Sequence, residues 1–306
     1  MSQIAEISYW ALLHAVPGIG PVTFRRLLDR FGSAAETVEK ADRDALAEVR
    51  GMRRELADAL LACRSRLDAA ERMVAALQKN GVHLLRMTDS AYPPALHDLP
   101  DPPPLLYVLG KIGARDRRAV GMVGTTKPSA RGRPIAEEFG RRFAAAGVTV
   151  VSGYAHGIDA ASHRGAFQGG GRSILCVPYG IRHFKSRPDF PSLAEIAQRG
   201  AVVSECPPEL PWSAAAAVAR DRIIAALGRA VFVIETPPRG GTLHTVRAAE
   251  ELGRPIFVLK YHAPPESARG NSILIARGAT DVSRFGEIGK ILDGLGPDPR
   301  RDGARE

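Results

Sequence analysis

The stretch that decides the fold is AVGMVGTTKPSARGRPIAEEFGRRFAAAGVTVVSG, residues 119–153. It begins with a short apolar strand, continues through a loop of glycine and hydroxyl residues into a helix with apolar residues at helical spacing, and ends in a second apolar strand. The same alternation of strand and helix continues to residue 259. Because these strands are continuous apolar runs rather than alternating ones, we expect them to be buried on both faces. The sequence therefore predicts an α/β fold with a Rossmann-like, doubly wound, mostly parallel sheet.

The first 78 residues predict an all-helical domain. The stretch VPGIGPVTFRRLLDRFG, residues 16–32, places two glycines in a tight turn directly before an amphipathic helix with a basic face. A weaker copy of this pattern surrounds Gly51, and a long helix over residues 56–79 is expected to follow. We interpret residues 1–78 as a small helix-hairpin-helix (SAM-like) domain. Such a hairpin exposes backbone N–H groups that can hold a DNA phosphate, and an ordinary helix turn with a solvated basic face is the alternative.

Residues 79–290 are predicted to form the Rossmann-like domain. Two extended segments, residues 81–87 and 105–110, precede the strand–helix alternation and suggest extra strands added to the sheet. The segment that closes the chain, residues 291–306, is predicted to be a disordered tail because it ends in a polar run.

Composition narrows the class of protein. The chain has 306 residues, of which 45% are hydrophobic and 25% charged, as in an ordinary globular protein. Its net charge of +9 favours anionic partners such as nucleic acid, nucleotides or an acidic membrane surface. Three distant cysteines without a CxxC pair support neither a disulfide framework nor a zinc site. No apolar run is long enough to span a membrane and no leader pattern opens the chain, so we expect a cytoplasmic protein without a membrane partner.

Four loops at the expected carboxyl ends of the strands carry the candidate site. Ligands of open parallel sheets bind beyond these strand ends, and glycines, hydroxyls and cations beside a helix start suit a phosphate. The first of these loops, residues 124–133, matches neither the Walker pattern nor GxGxxG. The candidate DNA- or phosphate-binding residues in them are Gly124, Thr125, Lys127, Ser129, Gly153, His156, Gly157, Asp159, Arg220, Arg222, Arg239, Gly240, Gly241 and Thr242.

The two arginines of this set are separated by one residue, so they face different directions on a helix. One is expected to reach the crevice, and the other to pair with Asp221, Glu205 or Glu235. The role of Trp212 stays open between stacking on a ligand and plugging the core.

The same loops hold no recognisable catalytic machinery. His156 either contacts a phosphate or a base, or is a surface histidine. No Ser/His/Asp order, no pair of catalytic carboxylates and no metal cluster emerges from the sequence. We therefore expect a binding protein rather than an enzyme, with no metal and no cofactor.

Six blocks of the sequence, taken in order, resemble one known family. They are VGTTKPSARG (123–132), VVSGYAHGIDAASHRGAF (150–167), VVSECPP (202–208), ARDRIIAALGRAVFVIET (219–236), GGTLHTVRAAEELGRPIFVL (240–259) and ARGNSILIARGATDV (268–282). Together they resemble the DNA-processing protein A family, also called DprA or Smf. The resemblance implies sequence-independent binding of single-stranded DNA, protection of incoming strands during natural transformation, loading of the RecA recombinase, and a homodimer formed through the nucleotide-fold domain. It also implies that Asn271 belongs to the site.

The sequence departs from the family pattern at several positions. Members usually carry Gly-Ser-Arg at residues 124–126, an arginine in place of His156, and Arg-Asn-Arg at residues 220–222. Fewer cations weaken backbone binding, because affinity follows the number of phosphates neutralised. The alternative is a nucleotide-binding or nucleoside-monophosphate phosphoribohydrolase-like module of the same fold. In such hydrolases a catalytic Glu closely follows the glycine loop, whereas residues 243–245 here are Leu-His-Thr.

Overall fold

A computed structural model describes residues 3–296, with side chains described from residue 6 onward. The amino-terminal part is helical, as predicted. Its helices are α1 (Gln3–His14), α2 (Pro21–Phe31), α3 (Ala34–Lys40), α4 (Arg43–Ala47), α5 (Arg54–Cys63) and α6 (Leu67–Lys79). Two glycine turns, with Gly18 and Gly51 in the left-handed region, precede α2 and α5.

The prediction of one long helix over residues 56–79 is wrong. A short 3-10 helix at residues 64–66 separates α5 from α6. Here the guanidinium of Arg64 donates to the carbonyl oxygens of Val38 and Ala41 at the end of α3. These bonds satisfy carbonyls that a helix end leaves without partners. They hold the end of α5 in place, and α6 then packs against α1.

Nine strands within residues 3–296 form one sheet, in the order β1-β2-β6-β5-β4-β3-β7-β8-β9. The strands are β1 (Val82–Arg86), β2 (Leu105–Gly110), β3 (Ala119–Val123), β4 (Thr149–Ser152), β5 (Ser173–Cys176), β6 (Gly200–Ser204), β7 (Ala230–Val233), β8 (Ile256–Leu259) and β9 (Thr280–Val282). All pairs from β6 to β9 are parallel, and β1 and β2 extend the β6 edge in antiparallel pairing. The predicted mostly parallel, doubly wound sheet with two extra strands is confirmed, and β9 was not predicted.

Helices cover both faces of the sheet. They are α7 (Gly132–Ala145), α8 (Ile158–Gln168), α9 (Leu193–Gln198), α10 (Ala214–Leu227), α11 (Thr242–Glu251), α12 (Arg269–Ala276) and α13 (Ile288–Gly294). Buried side chains of α7, α8 and α13 form the core on one face, and those of α10 and α11 form it on the other. The strands between them are fully buried, which explains their continuous apolar sequences.

The amino-terminal helices share a hydrophobic core with the sheet. Leu13 and Leu27 belong to the same buried cluster as Tyr107, Leu175 and Val202. The change from helix to strand falls beside the predicted boundary at residues 78 and 79, between α6 and β1. The division into independent domains stays a prediction.

The predicted disordered tail begins too early. Ile291 and Leu295 are buried among the side chains of the α7 face, beside Phe257, and residues 288–294 are helical. The apolar positions of this segment give the helix a face that the sheet can bury, so the prediction is wrong for residues 291–295. Residues 297–306 of the predicted tail lie outside the described residues. None of the helices between residues 3 and 296 has the length and apolar character needed to cross a membrane.

Candidate functional site

A crevice opens where the direction of winding reverses. Strand β3 lies between β4 and β7, so the connections after β3 and β7 leave in opposite directions. A cavity of about 420 Å³ lies at the carboxyl ends of β3, β4 and β5, against α10 and the start of α11. The predicted site residues that line it are Gly124, Gly153, His156, Asp159, Arg220, Gly241 and Thr242.

A buried carboxylate shapes the loop after β3. Glu235 is fully buried at the end of β7, and its carboxylate accepts from the backbone N–H and the hydroxyl of Ser129, at 2.8 and 2.6 Å. The hydroxyls of Tyr261 and Ser267 also donate to it, each at 2.8 Å. The backbone N–H of Thr125 donates to the carbonyl oxygen of Glu235. Ser129 therefore anchors the loop to Glu235, on the side away from the crevice. Thr125 is hydrogen-bonded to the backbone that follows β7. Neither residue lines the crevice.

Two glycines leave room for close contacts at the crevice. Gly157 has φ +82°, and a Cβ there would lie 2.5 Å from the carbonyl oxygen of Thr125. A Cβ on Gly153 would lie 2.6 Å from both Arg220 Nη1 and Asp159 Oδ2. A larger residue at position 157 would therefore push the loops after β3 and β4 apart, and one at position 153 would displace the side chains of Arg220 and Asp159.

Arg220 is part of the framework of the crevice. It is 7% exposed, and its Nη1 donates to the carbonyl oxygens of Gly153 and Cys176, at the ends of β4 and β5. Its Nε donates to Asp221 Oδ1 at 3.1 Å. Burial raises the pKa of Asp221 to about 6 and also raises the pKa of Asp159, although the Arg220 guanidinium opposes both shifts. The positive charge of Arg220 is thus balanced by two neighbouring carboxyl groups.

Arg222 points away from the crevice. Its Nη2 donates to Glu205 Oε2 at 2.6 Å, and its Nε lies 3.6 Å from Asp101 Oδ1. Burial raises the pKa of Glu205 to about 7, against the opposing effect of Arg222. As expected, one arginine, Arg220, reaches the crevice and the other, Arg222, pairs with an acid. Unlike the expectation, Arg220 is paired with an acid as well.

Asn271 is another framework residue. Its side chain is buried; Oδ1 accepts from the backbone N–H of Thr236, and Nδ2 donates to the carbonyls of Ile234 and Leu259. It joins the ends of β7 and β8 to α12 and does not line the crevice.

Two predicted cations remain in solvent at the rim. Lys127 and Arg239 are exposed, and no ion-pair partner for either lies within residues 3–296. Lys127 directly follows Thr126, which lines the crevice, and Arg239 precedes Gly240 in the exposed turn before α11. These two side chains are free to meet an anion.

Sequence reasoning missed Tyr154 and Arg187, which both line the crevice. Tyr154 has φ +57° and is the only non-glycine residue of the described part of the chain with a positive φ. The Arg187 guanidinium lies 4.2 Å from the centre of the Tyr154 ring and donates to the carbonyl oxygen of Tyr154. Arg187 belongs to the loop after β5, so the rule that ligands bind at strand ends pointed to it. No feature of the sequence indicated that the backbone of Tyr154 would adopt a positive φ.

The crevice offers an anion two helix N-termini. No side chain caps α8, which follows Gly157, or α11, which follows Gly241. The backbone N–H groups of Ile158, Leu243 and His244 already donate to carbonyl oxygens, so only part of each helix start is open to an anion. Uncapped N–H groups at a helix start favour a phosphate or another anion. No three His, Cys, Asp or Glu side chains of residues 3–296 come together as metal ligands would. The arrangement is suited to holding phosphate.

Comparison with known proteins agrees with this geometry. The family model "DNA recombination-mediator protein A" matches residues 83–293, and a "SAM-like Helix-hairpin-helix tandem" model matches residues 11–63. Protein Smf of Synechocystis sp. is 33% identical over 306 residues, which cover 99% of this chain and 76% of that protein. The DNA processing protein DprA of Bacillus subtilis is 30% identical, with 69% and 71% of the two chains covered.

Solved structures show the same fold. The X-ray structure of DprA from Streptococcus pneumoniae superposes with a TM-score of 0.74 at 26% identity and covers 94% of this chain and 97% of that one. DprA from Helicobacter pylori, whose structure describes a single-stranded DNA binding mode, gives a TM-score of 0.60 at 24% identity over 70% of this chain and 95% of that one. The predicted family and the predicted helical hairpin tandem are both confirmed. The chain belongs to the DNA recombination-mediator protein A family, the DprA or Smf proteins.

Proposed function

We propose that this protein binds single-stranded DNA without sequence preference, with the strand's phosphates in the crevice at the carboxyl end of the sheet. The observation that carries the proposal is the pair of helix N-termini without side-chain caps, preceded by Gly157 and Gly241, at one crevice. The exposed cations Lys127 and Arg239 flank it. Such an arrangement recognises the backbone phosphates, which all sequences share.

The wider role that we propose is the one implied by membership in the family. The protein protects incoming strands, loads the RecA recombinase during natural transformation, and acts as a cytoplasmic homodimer without enzymatic activity. Light scattering of the purified protein tests the dimer. RecA-dependent ATP hydrolysis on strands coated with a single-strand-binding protein tests the loading.

The geometry gives no support to the hydrolase alternative. The described acidic residues that line the crevice are Asp159 and Asp221, and both are held beside Arg220. Glu235 is buried behind the loop, and the exposed Glu250 pairs with Arg277. A general acid or base needs a carboxyl group that can reach the substrate, so these residues favour binding over hydrolysis.

Fluorescence anisotropy with labelled oligo-dT at several salt concentrations tests DNA binding. Alanine at Arg220 and Arg222 is a poor test, because both side chains hold the framework together. The sharper variant is Lys127→Ala/Arg239→Ala, which removes two exposed charges. The matched control is Arg115→Ala/Arg117→Ala, which removes two exposed charges that precede β3, at the opposite end of the sheet.

We expect the crevice variant to bind about tenfold more weakly, a change of about 1.4 kcal/mol. Its slope of log affinity against log salt should be shallower by about 1.4, since single strands contribute about 0.7 per phosphate. The control should lose much less affinity. Equal losses in the two variants would place the DNA elsewhere, and no binding by the wild type would refute the proposal.

A further inference from the structure

Trp212 stands out among the large apolar side chains of this protein. Its side chain is 63% exposed, more than that of any other large hydrophobic residue of the described chain. The other tryptophan, Trp10, is 4% exposed, and its ring centre lies 5.1 Å from that of Phe24. Its indole N–H donates to Glu6. An exposed indole leaves a large apolar surface in water, so its position calls for an explanation.

The backbone fixes Trp212 at the mouth of the crevice. The residue directly precedes Ser213, whose hydroxyl caps α10 by accepting from the backbone N–H of Ala216 at 3.1 Å. Trp212 lines the same cavity as Gly153, His156 and Thr242. The ring therefore lies beside the groups that we assign to phosphate binding and does not plug the core.

The faces of the indole are open. No aromatic ring and no guanidinium between residues 6 and 296 stacks on Trp212. The nearby helix start carries small side chains, Ala214 and Ala215, which are exposed as well. A flat ligand can therefore approach the ring without displacing a bulky neighbour.

We propose that Trp212 is a stacking platform for one base of the bound strand. This inference rests on the proposed function: the uncapped helix ends and the rim cations hold the phosphates, and the indole takes the base attached to them. A nucleotide has both a phosphate and a flat aromatic face, and only a single strand presents its bases unpaired. Because every base has such a face, stacking adds affinity without reading sequence.

The test compares two oligonucleotides of equal length, oligo-dT and an abasic strand with the same phosphates. Trp212→Ala should bind oligo-dT about tenfold more weakly than the wild type, while Trp212→Phe retains most of the affinity. The abasic strand should bind the wild type and Trp212→Ala equally. An exposed side chain can be replaced without disturbing the core, and an unchanged urea midpoint checks that both variants are folded.

Tryptophan emission gives a second readout. Oligo-dT should quench the emission of the wild type and leave that of Trp212→Phe unchanged, because its remaining tryptophan is the buried Trp10. Normal oligo-dT binding by Trp212→Ala, or an equal loss with both oligonucleotides, overturns the stacking role and leaves the phosphate site intact. A wild type that binds neither oligonucleotide overturns the proposed function and the stacking role together. If the variants bind both strands normally but fail to dimerise, Trp212 belongs to a protein interface instead.

Discussion

The amino-terminal hairpins and the sheet crevice use the same sequence device, glycine turns before helices with arginines close by, in different ways. At the hairpins, a Cβ on Gly18 or Gly51 would meet only a side-chain tip, Leu56 Cδ1 or Arg26 Nη1, at 3.3 Å. At the crevice, a Cβ on Gly157 would meet backbone at 2.5 Å. The hairpin positions require glycine for its φ angle alone. Position 157 requires glycine for its φ angle and because the neighbouring backbone leaves no room for a Cβ.

The arginines of the two regions also differ in their exposure and in their ion pairing. Arg53 and Arg54 at the start of α5 are exposed, and no ion pair within residues 3–296 involves either. Arg220 at the crevice is buried between Asp159 and Asp221. Nearness in sequence to a glycine turn thus does not tell whether an arginine is free to bind or is part of the frame.

The largest expected effect compares a glycine from each region. Gly157→Ala should lower the free energy of unfolding by about 3 kcal/mol or more, because a positive φ is combined with a clash against fixed backbone. Gly18→Ala has the φ penalty and a flexible neighbour, so about 1 kcal/mol is expected. Urea unfolding measures both. Equal losses would mean that the loops after β3 and β4 relax easily, and would remove the distinction between the two regions.

A smaller effect is expected from the polar contacts that hold each region. Glu235→Ala leaves four donor groups around a buried site without their acceptor, and should cost about 2 kcal/mol, because three of them are hydroxyls that can turn toward other acceptors. Arg26→Ala removes the 2.7 Å bond to the carbonyl of Arg50 at the second hairpin, an exposed contact of about 0.5–1 kcal/mol. Thermal unfolding compares the two variants, with Glu235→Gln, which keeps one acceptor oxygen, expected in between. If Glu235→Ala is as stable as Arg26→Ala, the carboxylate does not organise the loop.

The smallest effect concerns pH. The raised pKa of Asp221, about 6, means that its carboxyl is ionised at pH 7.5 and becomes neutral as the pH falls through 6. The crevice then loses one negative charge. Affinity for oligo-dT should therefore rise on the order of fivefold between pH 7.5 and 5.5. Measured in a His156→Gln background to remove the exposed imidazole, Asp221→Asn should bind more tightly than its parent at pH 7.5. Its affinity should also rise less as the pH falls to 5.5, the remaining rise coming from Glu205, whose pKa is raised to about 7.

The hairpin supplies the control for the pH experiment. Arg53→Ala/Arg54→Ala should change affinity by the same factor at both pH values, because no ion pair in the described chain joins these arginines to an acid. A pH response of undiminished size in the Asp221→Asn variant would assign it to another group and weaken the contrast between compensated and free cations.

Much of this architecture could be read from local patterns. Continuous apolar runs predicted the buried parallel strands, and glycines at their carboxyl ends predicted where the crevice opens. Of the site residues, Gly124, Gly153, His156, Asp159, Gly241 and Thr242 do line it. Each lies in the loop or at the helix start that follows its own strand, so short-range sequence was sufficient.

The sequence by itself determined the fold class, the tandem hairpins and the strand ends at which a ligand can bind, because these follow from periodicity and turn residues within a few positions. Only the tertiary structure decided which polar groups face the ligand. Ser129 is bound to Glu235 across 106 residues of chain, and Arg222 lies beside Asp101. Such partners meet through the order of strands in the sheet, and burial then decides which charges are compensated and which stay free.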